Sequence, residues 1–181
     1  MDFFKAYGDM RLYADGAASD VLVVVSPEGK AVSCATVAVY GDKTVAARLC
    51  EPMMRATFKP ASADNSPAWG AFSTQLKFFA PETERGRFVK NLKQSSDLEL
   101  KVAALPTGLA GPVDIIATAQ VSPQGAIGAC VGRPQDNAAL IKVACNQLRA
   151  SSNYVLKSPD GLAQTYVRSF KVRFDIDGKT K

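Results

Sequence analysis

Ser26-Pro27-Glu28-Gly29 followed by Cys34 returns later in the chain as Ser122-Pro123-Gln124-Gly125 followed by Cys130. Turn and cysteine are both displaced by 96 positions (26 to 122, 34 to 130), so the register is kept without a gap. A second cysteine follows in each copy, Cys50 and Cys145, now 95 apart, which asks for one residue fewer between the cysteines of the second copy. Leu76-Lys77-Phe78 falls opposite Val172-Arg173-Phe174, again at 96. Four landmarks in one order mark a duplication, and a period this long reads as two small domains rather than the short unit of a solenoid.

Within the first copy, the β-branched run at 21–25 stops at the Pro-Gly turn and strand-like composition resumes over 31–39, which predicts a hairpin. Gly41-Asp42 ends the second strand. Val45, Ala46, Leu49, Cys50 and Met53 then recur at spacings of three and four, the signature of a helix. Pro52 lies inside that pattern and predicts a kink or an early stop, because a mid-helix proline costs about 3 kcal/mol. After a polar loop, Phe72, Thr74, Leu76 and Phe78 alternate with Ser73, Gln75 and Lys77, the period of a strand with one buried face. The second copy repeats the plan. Asp136 is the expected helix cap, Leu140, Ile141, Ala144, Cys145 and Leu148 form the apolar stripe, and Phe170, Val172, Phe174 and Ile176 alternate with Ser169, Lys171, Arg173 and Asp175.

The predicted fold class is therefore α+β, with two tandem β-β-α-β domains, each a helix on a small antiparallel sheet. Residues 1–80 hold an N-terminal arm and the first domain, 81–112 a linker with a short helix at 87–93 and a strand at 98–105, and 113–181 the second domain. The arm, with Phe3, Phe4, Tyr7, Leu12 and Tyr13, is too aromatic for a free tail and is expected to pack on the first domain.

In each copy one cysteine falls on the second strand and the other on the helix that covers the same sheet. Four cysteines allow three pairings, and only Cys34 with Cys50 and Cys130 with Cys145 preserve the repeat. A closed loop of about fifteen residues stabilises by about 3 kcal/mol in the chain-entropy model, and such bonds belong to secreted and periplasmic proteins. The plain alternative is four unpaired core cysteines.

Charge and motif content narrow the function classes. The chain of 181 residues carries a net charge of +5, but its cations are interleaved with acids between Glu82 and Lys101 and form no basic block, so nucleic acid is not an expected partner. No apolar run reaches the eighteen residues of a membrane span. No export signal opens the sequence, so an exported protein has its signal or anchor outside these residues. With no histidine, a Ser-His-Asp or Cys-His site is impossible, and Glu82 with Glu84 or Asp175 with Asp177 are solvated charges of a linker and a tail. No catalytic residue, metal site or cofactor is expected: the cysteines lack the close spacing of a zinc knuckle or a redox pair, and Gly125, Gly128 and Gly132 lack the spacing of a phosphate loop. Gly128 reads instead as a bulge or close-packing position.

The duplicated plan resembles the C-terminal domain family of TonB, the energy transducer of the Gram-negative envelope, in its cysteine-bearing variant. The likeness covers 20–79 and 114–176 and rests on Val25-Ser26-Pro27-Glu28-Gly29 through Cys34, Cys50 followed by Phe58-Lys59-Pro60-Ala61, and the strand ending at Phe78. Its second half rests on Val121-Ser122-Pro123-Gln124-Gly125, Cys130, Cys145 and the strand ending at Phe174, with Tyr154-Val155-Leu156-Lys157 replacing the Phe-x-Pro-Ala segment. The resemblance implies a periplasmic, non-enzymatic module for envelope transport whose sheet edge accepts an extended peptide, for example from an outer-membrane receptor. The residues expected to line that edge are Ser73, Gln75 and Lys77 in the first copy and Ser169, Lys171 and Arg173 in the second. A second reading is a structural envelope protein whose cationic surface contacts peptidoglycan.

Overall fold

The computed structural model describes residues 16–177. Of the arm expected over the first twenty residues, 1–15 with all its named aromatics lie outside the described residues, while 16–20 belong to the first strand. The basic tail beyond 177 also lies outside them. Eight strands are β1 (Gly16–Val25), β2 (Ala31–Gly41), β3 (Ala61–Ala63), β4 (Ser66–Phe79), β5 (Leu98–Val102), β6 (Val113–Val121), β7 (Ile127–Gly132) and β8 (Tyr166–Ile176). Helices α1 (Lys43–Arg48) and α2 (Cys50–Arg55) follow β2, α3 (Glu84–Asn91) follows β4, and α4 (Ala138–Ala150) follows β7.

The order strand, strand, helix, strand is present in both copies, but the expected pair of separate tandem domains is overturned. The strands form one eight-stranded mixed sheet in the order β2-β1-β4-β8-β6-β7, with β3 added to β4 and β5 running parallel to β8. Two three-stranded modules ending in an alternating strand would each leave a row of unpaired N–H and C=O groups on that strand. Placing β4 and β8 inside the order removes both edges. The chain divides into two compact units, one of residues up to Pro60 with Phe72–Ser95, the other of Ala61–Ala71 with residues from Ser96 on. β4 is divided between them, its residues 66–71 in the unit of β8 and 72–79 in the unit of β1.

In the first unit β1 is buried along almost its whole length, as a strand with neighbours on both sides should be. Val21, Val23 and Val25 pack with Cys34, Cys50, Met53, Phe58 and Phe72, while Ala17 meets Val45, Ala46 and Leu49. The helix is interrupted at Leu49, three residues before Pro52, and continues through Pro52 to Arg55. As the third residue of α2, Pro52 lacks an N–H that would have no partner in a first turn anyway, and the break before it avoids a clash of its ring with the carbonyl of Arg48.

In the second unit α4 is continuous and lays Leu140, Ala144, Cys145 and Leu148 inward, against a sheet face that includes the buried Ile115, Ala117, Phe170, Val172 and Phe174. Its cap is Asn137, whose side chain accepts from the N–H groups of Ala139 and Leu140. Asp136, the expected cap, is displaced by one position: its carboxylate takes the Arg133 guanidinium at 2.9 Å and the N–H of Ile116 at 3.1 Å. The Arg133 hydrogen bond holds that carboxyl below its usual range.

The polar loop expected before Phe72 is instead the hairpin β3–β4, closed by Asp64-Asn65 with φ of 51° and 61°. Two consecutive left-handed residues make the tight turn whose twist matches a hairpin, and Asp and Asn tolerate it best after glycine.

Candidate interaction edge

The two Ser-Pro-x-Gly turns are built alike. Ser26 N–H donates to Lys30 O and Gly29 N–H to Ser26 O; Ser122 N–H donates to Ala126 O and Gly125 N–H to Ser122 O. Gly29 and Gly125 have φ of 79° and 82°, and a Cβ on either would meet a backbone carbonyl, that of Phe58 at 2.3 Å and that of Asn153 at 2.6 Å. Each turn launches the strand that ends the sheet order, β2 or β7.

Both end strands are bulged and tied down. On β2, Val24 pairs with Ser33 and Val25 with Ala31, which leaves Val32 over; on β7, Ala119 pairs with Cys130 and Val121 with Ile127, which leaves an extra residue at 128–129. Val32 and Gly128 are 96 positions apart, so the bulge belongs to the repeat, and Gly128 occupies the bulge its sequence context suggested. Cys34 of β2 is bonded to Cys50 of α2, and Cys130 of β7 to Cys145 of α4. No described cysteine is free. Two disulfides suit an oxidising, extracytoplasmic environment. No helix among the described residues is long and apolar enough to cross a membrane.

The six residues singled out as edge-lining lie on β4 and β8, which are internal in the sheet order, and their side chains are used within the chain. Gln75 donates to Asp20 at 2.8 Å and to Lys93 O at 3.3 Å, and Lys77 donates to the carbonyls of Lys90 and Leu92 at the C-terminal end of α3. Asp20, buried on β1, also accepts from Tyr40 and from both the hydroxyl and the N–H of Ser95. Burial and the nearby Asp20 charge push the Tyr40 hydroxyl upward. Ser169 bonds Thr118 at 3.2 Å, while Lys171 lies 3.2 Å and Arg173 3.9 Å from Asp114. Ser73 also has a partner. These positions hold the structure together rather than offer a free edge.

What the sequence reading missed is the face of β7 and β6 turned away from α4. Thr118 pairs with Val131 on β7, so both lie on that face, opposite Ala119 and Cys130. Val131 is 62% exposed. An open depression of 220 Å³ is lined there by Ser62 and Asp64 at the β3–β4 turn, Thr118 and Gln120 of β6, Val131 of β7 and Val167 of β8. A second of 220 Å³ follows along the same strand, lined by Gln120, Ser122, Gly128 and Thr165. The two share Gln120 and follow one another along the end of β6 and just past it, the first touching 118–120 and the second Gln120 and Ser122, beside an end strand that carries no charged residue from Ile127 to Gly132. The visible signals for this face were that uncharged strand and the Asp64-Asn65 turn.

No family model, no curated protein and no solved structure matches the chain.

Proposed function

We propose that this is a periplasmic, non-enzymatic protein-interaction module of the TonB-like kind, serving envelope transport by taking an extended partner peptide as an added strand on β7. The observation that carries this reading is an uncharged end strand beside two depressions that follow one another along it and meet at Gln120. In strand addition, main-chain hydrogen bonds supply affinity and pockets for alternate side chains supply specificity. Soluble proteins commonly guard such an edge with lysine, proline, an inward-pointing charge or a bulge; β7 has only the bulge at 128–129, and 130–132 beyond it carry no charge or proline. The disulfide to α4 fixes the strand before the peptide arrives, which lowers the entropic cost of docking. The duplicated turn and cysteine pattern, with its likeness to the TonB C-terminal domain, supports an outer-membrane receptor segment as the partner.

Backbone NMR of the intact chain, titrated with extended peptides from the periplasm-facing segments of outer-membrane receptors, tests it. The expected result is amide shifts concentrated in Ile127–Gly132, with little change in the interior of β4. Val131→Lys, which places a guarding charge on the open strand, is expected to weaken binding about tenfold, or about 1.4 kcal/mol. Shifts that avoid β7 for every peptide overturn the proposal.

A further inference from the structure

Among the described residues Asp64 is the only ionisable one lining either depression beside β7. It is exposed at the tip of the β3–β4 turn and takes part in none of the ion pairs found among the described residues. The nearest charge in sequence to β7, Arg133, is already paired with Asp136 at 2.9 Å. The rest of the first depression is made of Ser62, Thr118 and Gln120, with hydroxyl or amide oxygens, of apolar Val131 and Val167, and of three alanines. An apolar wall leading to a carboxylate and neutral acceptors suits a long side chain with an aliphatic stem and a cationic head, and disfavours a carboxylate.

We infer that the peptide taken at β7 carries a lysine or arginine at the residue that enters the Asp64 depression, and an uncharged residue two places along, where Gln120, Ser122, Gly128 and Thr165 form the second. The two-residue step follows from the strand period, which sends every second side chain to one face. This inference rests on the strand-addition reading and adds the chemistry of the ligand. The selectivity is local, since a chain of net charge +5 does not attract a basic peptide at long range.

The test uses the intact, oxidised chain and acetylated, amidated heptapeptides of alternating threonine and valine, with Lys, Arg, Gln or Glu at the central place. Affinities are read from the amide shifts of β7. For an exposed pair the expected preference is up to about fivefold for Lys or Arg over Gln, with Glu weakest. In Asp64→Asn the order collapses to about one-to-one, and 1 M salt does the same to the parent chain. Asparagine keeps the turn because it accepts the positive φ of 51° at this position. Binding at β7 with no dependence on the central charge, or with the same dependence in Asp64→Asn, overturns this inference and leaves strand addition standing. No shift at β7 with any heptapeptide, while the receptor-derived peptides do shift it, overturns the inference alone; no shift with either set overturns both.

Discussion

Copy one and copy two join an end strand to a helix by the same bond, with Cα–Cα distances of 5.7 and 5.8 Å, yet the helices differ. Copy two has one helix of 13 residues; copy one has two of six, divided at Leu49. The cysteines are 16 positions apart in copy one and 15 in copy two. At the break Leu49 keeps helical angles (φ −64°, ψ −20°) while its N–H donates to Ala46 O, a 3₁₀-type tightening, and Cys50 still bonds Cys34. What the duplication conserves is thus the anchorage of the end strand, while helix continuity is free to vary around it.

The sharpest way to break this comparison is to remove one anchor at a time. Cys34→Ser with Cys50→Ser, and Cys130→Ser with Cys145→Ser, should each lower stability by about 3 kcal/mol on loop entropy. Loops of 16 and 15 residues differ by less than about 0.1 kcal/mol in that model, so a larger gap reports on the helices. Helices of six residues do not persist in water without tertiary support, so copy one should lose more. Urea unfolding of the two double variants measures the gap, and equal losses would show that helix continuity does not matter to the anchorage.

A smaller effect separates the two turns. Gly29→Ala and Gly125→Ala each place a side chain at a positive φ, which costs about 2 kcal/mol. The new Cβ also meets a main-chain carbonyl, closer in copy one (2.3 Å from Phe58 O) than in copy two (2.6 Å from Asn153 O). Gly29→Ala should therefore lower the thermal midpoint further than Gly125→Ala; the reverse order would mean that the segment at Phe58 yields more readily than the one at Asn153.

Elements with a local signal were legible in the sequence, and elements decided by distant partners were not. The hairpins at the Ser-Pro-x-Gly turns, the helix stripe ending in Leu148, an interruption of the helix that holds Pro52 and the alternating strands all come from nearby residues. Residues 16–20 gave no strand signal, because Gly-Ala-Ala-Ser-Asp has low strand propensity; they extend β1 because Ser19 bonds Ala46 O and Asp20 is met by Gln75, Ser95 and Tyr40. The meeting of β4 and β8 within one sheet order was equally hidden, since alternation says that one face is buried and not which strand lies alongside. That one gap moved the candidate site. With β4 and β8 taken as edges, Gln75, Lys77, Lys171 and Arg173 look available; with them inside, the strands that end the sheet order are β2 and β7.

The smallest expected difference lies at the helix starts, where Asp42 and Asn137 each accept hydrogen bonds from two first-turn N–H groups. Replacing either with alanine should cost about 1 kcal/mol. Local and global consequences should part company, however. In α4 a lost cap is buffered by Leu140, Ala144 and Leu148, which continue to hold a helix of 13 residues on the sheet. In α1 only Val45 and Ala46 are buried over six residues, so Asp42→Ala should fray the whole helix. Amide hydrogen exchange at 43–48 and 138–150 distinguishes the two responses: faster exchange throughout α1 but only in the first turn of α4 is the expected pattern. Fraying that spreads along α4 while α1 stays protected would reverse the assignment of copy one as the copy that leans more heavily on its disulfide.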